Sequence, residues 1–107
     1  MTDAIVVLVT VSTAEQAADL ARALVEERLA ACGNVVPGLR SIYRWQGEVQ
    51  DEPEVLLLLK TTSALFERLR GRVVELHAYE NPEVLALPVE AGQLPYLDWI
   101  RQETKVL

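Results

Sequence analysis

The stretch L-R-S-I-Y-R-W-Q-G-E-V-Q-D-E-P-E-V-L-L-L-L-K, residues 39–60, decides the fold. It reads as two strands reversing at Gln46-Gly47. In the first arm Ser41, Tyr43 and Trp45 alternate with Ile42 and Arg44, so the aromatic side chains share one face. In the second arm residues 48–54 are mostly polar and residues 55–59 form a continuous apolar run. The apolar end suits the centre of a sheet covered on both faces. The polar end, in a strand of roughly 20 Å or more counted from the turn, outruns the body of a small domain. A projecting ribbon with unpaired edges is either blunted or paired with another chain. The hairpin is therefore expected to serve assembly. Pro53, which cannot donate a ladder bond, is expected to mark a bulge where the ribbon leaves the sheet.

Working outward, residues 4–10 (A-I-V-V-L-V-T) are a β-branched run read as a central strand. Ser12 and Glu15 have capping-box spacing, so a helix should begin near Thr13. Ala17, Leu20, Ala21, Leu24, Val25 and Leu29 recur at helical steps, which carries that helix to about Ala31, with Gly33 as its stop. Residues 34–36 are expected to start a short strand before a kink at Pro37-Gly38. Beyond Lys60, Thr61, Thr62 and Ser63 offer N-caps to a second helix striped by Leu65, Phe66, Leu69, Val73 and Leu76. Asn81-Pro82 breaks that pattern, residues 83–89 (E-V-L-A-L-P-V) return as an edge strand, and Pro95 opens a last helix from Tyr96 to about Glu103. The order β-α-β-β-α-β plus a C-terminal helix predicts an α+β fold: a four-stranded antiparallel sheet with two helices on one face. The other face cannot be wholly polar, because the apolar runs 6–9 and 55–59 contribute to it, so self-association is expected.

Composition narrows the function. A chain of 107 residues that is 50% apolar predicts a single domain, 1–107, with a real core. A formal charge of −6, with acids dispersed through the chain, argues against a nucleic-acid partner, which demands a clustered basic face. No apolar run approaches the roughly 20 residues of a membrane span. The start M-T-D-A-I-V-V-L lacks the basic n-region of a secretory signal, and the lone Cys32 suits a reducing cytoplasm. Neither glycine-rich phosphate loop is present, and no Ser/His/acid or Cys-His nucleophile stands out, so no enzyme is expected and no organic cofactor is implied.

Several residues invite chemistry, each with a plainer alternative. Cys32 suits a soft ion such as Cu(I) as thiolate, or fills space as a small apolar residue. His77, the only histidine, can join Glu80 or Glu83 around Cu(II) or Zn(II), or bond a carbonyl at its helix end. Trp45 and Tyr79 serve an interface or a ligand cleft. Lys60 closes an apolar strand, where an ammonium must snorkel, pair with a carboxylate such as Glu80, or meet an anion; pairing with Glu80 is the expectation. The acidic run 50–54 reads as a solvated ribbon.

Four segments carry a resemblance. E-R-L-A-A-C-G-N-V-V-P-G-L-R-S-I-Y-R-W-Q-G-E-V (27–49), L-L-L-L-K-T-T (56–62), L-H-A-Y-E-N-P-E-V-L-A-L-P-V (76–89) and Y-L-D-W-I (96–100) resemble the CutA divalent-cation tolerance proteins in register over nearly the whole chain. The resemblance implies a ferredoxin-like subunit in a homotrimer whose long hairpins form intersubunit sheets, similar in architecture to the PII signalling proteins. It implies a cytoplasmic protein tied to tolerance of copper and other divalent cations, with no agreed enzymatic reaction. It also implies a cleft between subunits lined by Cys32, Trp45, Lys60, His77, Tyr79 and Glu80. One departure stands out: Ala78 occupies the position where the family usually has proline. The function expected is divalent-metal tolerance through metal binding. The alternative is a PII-like ligand-binding trimer that holds a small anion with Lys60 and the Tyr79 hydroxyl.

Overall fold

In the computed structural model, which describes residues 2–105, the central strand β1 (Ala4–Val11) alternates as a two-faced strand must. Ile5, Val7, Val9 and Val11 are buried beneath the helices, while Val6, Leu8 and Thr10 on the opposite face are only half-buried. The helix α1 (Ala14–Glu26) starts where expected, but its cap is one residue later than the spacing suggested. Thr13 Oγ1 accepts the Gln16 N–H at 3.1 Å, and Ser12 Oγ donates to Gln16 Oε1 at 2.5 Å.

The far end of α1 corrects the sequence expectation. The helix stops at Glu26, five residues short of Ala31, because Arg28 turns left-handed at φ 62°. The Arg28 N–H then bonds Val25 O and the Leu29 N–H bonds Leu24 O, each at 3.0 Å, which is the Schellman closure. A left-handed arginine costs about 1–2 kcal/mol. Bonds from its guanidinium to Gln102 O (2.8 Å) and Glu103 O (3.2 Å) hold it in place. Gly33 is not the stop. It lies in β2 (Cys32–Trp45), where a Cβ would come within 2.7 Å of Ala21 Cβ, so its bare backbone lets α1 settle on the sheet.

The strands β2 and β3 (Glu48–Thr62) form the long hairpin, reversing at Gln46 (φ 52°) and Gly47 (φ 82°), the left-handed pair of a type I′ turn. Their register runs Trp45↔Glu48 through Leu39↔Glu54, then resumes at Val36↔Leu56. The bulge therefore falls at Pro37-Gly38 and not at Pro53, which pairs with Arg40 in unbroken register. Gly38 at φ 89° supplies the backbone conformation a bulge uses. Pro53 needs no bulge, because the pairing of β3 with β1 ends at Val11↔Val55 and leaves that side of the ribbon open.

Thr61 and Thr62 belong to β3 and are buried; Thr61 Oγ1 donates to Leu29 O at 2.7 Å and caps nothing. A 3₁₀ turn at Ser63–Leu65 leads into α2 (Phe66–Leu76), and neither has a side-chain cap. The strand β4 (Leu85–Pro88) is shorter than the apolar run 83–89, and α3 (Leu94–Glu103) begins two residues before Tyr96. Sheet order is β2-β3-β1-β4, antiparallel throughout, which is the ferredoxin-like arrangement. One core lies between the sheet and α1 with α2, built on Val7, Val9, Leu57, Leu59, Leu24, Leu65, Leu69 and Val73. On the second face α3 covers only one end, where Leu97 and Ile100 pack with Ala4 and Ala31. The rest of that face presents half-buried Val6, Leu8, Leu56 and Leu58 beside exposed Val36, Leu85 and Leu87. The ribbon stretches the molecule to 44 × 25 × 21 Å.

Candidate functional site

Where α2 ends, the His77 N–H makes the last helical bond to Val73 O (2.8 Å), and the backbone then extends (ψ 143°). This swings the imidazole back toward β1. Its Nδ1 accepts the Tyr79 N–H at 3.0 Å, and its Nε2 lies 2.8 Å from Thr10 O. An amide donor on Nδ1 and a carbonyl on Nε2 are satisfied together only by the neutral ring with its proton on Nε2. The Tyr79 ring rests against His77 with centroids 4.6 Å apart, and its hydroxyl donates to Glu54 Oε2 at 2.7 Å. Thus one corner ties α2, β1 and the root of the ribbon together.

That corner opens on a cleft of about 670 Å³ that runs along the ribbon and is lined also by Tyr43, Arg44 and Trp45 of β2 and by Glu54, Glu80 and Glu83. Burial, reinforced by Glu54, Tyr43 and Glu52, pushes the Tyr79 hydroxyl well above the ordinary phenol range. Burial also raises the Glu83 carboxyl, with help from the nearby charge of Glu54. The guanidinium of Arg44 reaches back over the turn toward Gly47 O (3.4 Å).

Cys32 and Lys60 stand elsewhere. They pair across β2 and β3, next to Val6, whereas Thr10 pairs with Leu56. Four strand residues separate the two positions, about 13 Å. Cys32 is half-buried, with Sγ 3.6 Å from Asn34 Oδ1. Lys60 Nζ sits 5.8 Å over the Tyr96 ring of α3. The expected Lys60–Glu80 pair is not among the ion pairs of the described residues, because the strand spacing keeps those groups apart. Nor do Cys32, His77 and Glu80 gather: the described residues contain no group of three His, Cys, Asp or Glu side chains able to hold a metal ion. Within one subunit the His77 ring is also occupied on both sides. The acids of the ribbon are not merely solvated. Asp51 takes a bidentate grip from Arg40 (2.8 and 2.6 Å), which lowers its carboxyl pKa. Glu54 is the residue sequence reasoning undervalued; the signal was its position directly before the apolar run, where a carboxylate turns inward.

The family model described as CutA1 divalent ion tolerance protein matches residues 5–103. The chain belongs to this CutA family. It is 59% identical over 99 residues to the divalent-cation tolerance protein CutA of Thermus thermophilus, covering 92% of this chain and 96% of that one. It is 48% identical over 97 residues to human Protein CutA, covering 91% of this chain and only 54% of the longer human protein. Among solved structures, CutA1 from Oryza sativa superposes with a TM-score of 0.93 at 44% identity, covering 97% of this chain and 95% of that one. CutA from Xylella fastidiosa gives 0.94 at 38%, covering 97% and 100%. The expected ferredoxin-like, PII-like fold is thereby borne out. CutA relatives differ in compartment by name: the rice and Arabidopsis proteins are called chloroplastic, and the Archaeoglobus fulgidus structure is titled periplasmic. The family is named for tolerance of divalent ions and not for a reaction. No helix among the described residues is long and apolar enough to cross a membrane.

Proposed function

We propose that this chain acts in divalent-ion tolerance as a cytoplasmic homotrimer that binds copper or another divalent cation where two subunits meet, without catalysing a reaction. The observation that carries this reading is the separation of the donors. Cys32 pairs with Lys60 beside Val6, whereas Glu80 lines the cleft with Thr10 and Glu54 at the other end of β1, so neither completes a coordination shell inside its own subunit. A thiolate and a carboxylate brought together across a seam make a borderline-soft site suited to Cu or Zn. The half-covered apolar face and the projecting ribbon supply the reason to assemble. His77 serves this site as a positioning residue, because both ring nitrogens are already bonded. Within one subunit Tyr79 gives its hydroxyl to Glu54 and Lys60 stands outside the cleft, so the anion alternative, like the metal site, needs the seam to bring its residues together.

Light scattering tests the trimer, and calorimetric titration with Cu(II) and Zn(II) tests the site. Cys32→Ser and Glu80→Gln should each weaken binding by about tenfold or more, the loss of one strong ligand interaction. Binding that is untouched in both variants removes the seam site; a stable lone subunit at micromolar concentration removes the assembly.

A further inference from the structure

The two helices meet where Arg72 grips Glu27 at 2.9 Å, just past the end of α1. Further on α2 stops at Leu76, and the N-terminal half of α1 has only the extended chain at His77 and Ala78 beside it. A cavity of about 220 Å³ opens there. Its walls are Val11, Leu20, Ala23, Leu76 and Ala78, and α1 adds the polar side chains of Gln16 and Asp19. Asp19 and Ala23 stand one turn apart, about 6 Å along the helix, so one small guest reaches both. No residue of the ribbon lines this cavity. Val11 lies on the helix side of the sheet, opposite the half-covered face that supplies the reason to assemble.

Two independent features give the cavity a negative field. Asp19 makes no ion pair or hydrogen bond among the described residues, and Arg22, three residues on, is not paired with it. At the end of α2 the carbonyls of Val74, Glu75 and Leu76 receive no hydrogen bond from the described residues, and the last turn carries no basic side chain to offset the helix dipole. No lysine or arginine lines the cavity, and both ring nitrogens of His77 are already bonded. The volume lies below the roughly 300 Å³ at which drug-sized pockets begin, so only a short chain fits. Apolar walls with a carboxylate at an exposed rim suit a guest that is hydrocarbon along its length and positive at one end. We propose that this cavity binds a primary alkylammonium group on a chain of about four carbons, its charge at Asp19 and its chain against Leu20, Ala23 and Leu76. The inference stands independently of the metal site at the seam, since it uses neither Cys32 nor Glu80.

The test uses the assembled full chain labelled with ¹⁵N and titrated with n-butylammonium, with 1-butanol and butyrate as neutral and anionic counterparts. The cation should move the amide resonances of Ala23 and Ala78 and leave the indole N–H of Trp99 on α3 in place, while the two counterparts move none of them. Asp19→Asn should raise the Kd by about fivefold, the scale of one exposed ion pair. Ala78→Leu puts a larger side chain at an exposed position, where it should fill the cavity and weaken binding at least as much. Glu26→Gln removes the same charge from α1 outside the cavity and should leave the Kd within about twofold of the parent. Equal shifts with 1-butanol, no shift at Ala23 and Ala78, or an Asp19→Asn that binds no worse than Glu26→Gln overturns the proposal. Nα-acetyl-lysine methylamide separates two sources of the group: affinity equal to that of n-butylammonium means a protein lysine, weaker binding means a free amine, and either upholds the ammonium site. A protein that takes up Zn(II) but ignores n-butylammonium overturns this inference and leaves the metal site standing. One that binds n-butylammonium but not Zn(II) supports this inference and removes the metal site.

Discussion

Replacing His77 by alanine separates a structural corner from a metal ligand. The imidazole holds two backbone groups, the Tyr79 N–H at 3.0 Å and Thr10 O at 2.8 Å, in a half-buried setting. Leaving a buried donor or acceptor unpaired costs about 1–3 kcal/mol. The partial exposure of this corner lets water recover part of that, so His77→Ala should lose about 2 kcal/mol for the two groups together. In urea, where slopes are about 1–3 kcal/mol per molar, the midpoint should fall by roughly 1 M. His77→Gln, whose amide reaches toward Thr10 O, should recover about half of the loss. The Tyr79–Glu54 bond depends on the same corner, so both variants should also loosen the ribbon, seen as faster amide exchange at Val55 and Leu57. Calorimetry with Cu(II) completes the comparison: a positioning His77 predicts that His77→Gln binds within roughly threefold of the parent. An unchanged denaturation midpoint in His77→Ala, or abolished binding in a stable His77→Gln, would refute the reasoning. The first removes the corner and the second makes the imidazole a ligand.

Other consequences can be measured directly. Gly33→Ala drives a methyl into Ala21 Cβ at 2.7 Å and should destabilise the fold by about 1–3 kcal/mol. Pairing it with Ala21→Gly should show a favourable coupling in a double-mutant cycle, and additive losses would mean that the two do not collide. The raised Glu83 carboxyl favours its protonated form in the fold, so its contribution is fully present below the ordinary glutamate range and is lost as pH rises through its elevated value. Glu83→Gln should therefore gain stability over the parent at neutral pH and lose that advantage in acid, as followed by urea midpoints across pH. Tyr79→Phe should release Glu54 and weaken the fold by about 1.5–3 kcal/mol, the range for a hydrogen bond to a charged group; an unchanged urea midpoint would show that this bond contributes nothing.

The sequence made the sheet legible because each strand announced itself by an unambiguous device. Gln46-Gly47 marked the reversal, and the run 55–59 had no other place than the centre. Its misreadings came from rivals of equal local merit. Leu29 continued the helical stripe of α1, yet Arg28 closed the helix because bonds to Gln102 O and Glu103 O, some 75 residues away, held its left-handed turn. Pro53 looked like a bulge and Pro37-Gly38 like a kink, and only the register of two strands put the bulge at Pro37-Gly38. At the site, His77, Tyr79, Glu80 and Trp45 were visible as residue types. Their distance from Cys32 and Lys60 was not, because alternation along β3 says which face a side chain takes and not how far apart two points on that face lie. The partnership of Tyr79 with Glu54 joins segments 25 residues apart, and no local pattern encodes it.

The extra residue at Pro37-Gly38 acts as a phase inverter. Before it, the even positions of β2, Cys32, Asn34 and Val36, share a side with the even positions of β3; after it, the odd positions do. Removing one residue there would leave a regular ladder in which Val36↔Leu56 and Leu39↔Glu54 both survive, so Tyr43 and Trp45 would keep the Glu54 side while the ribbon lost the bend and added twist that a bulge imposes.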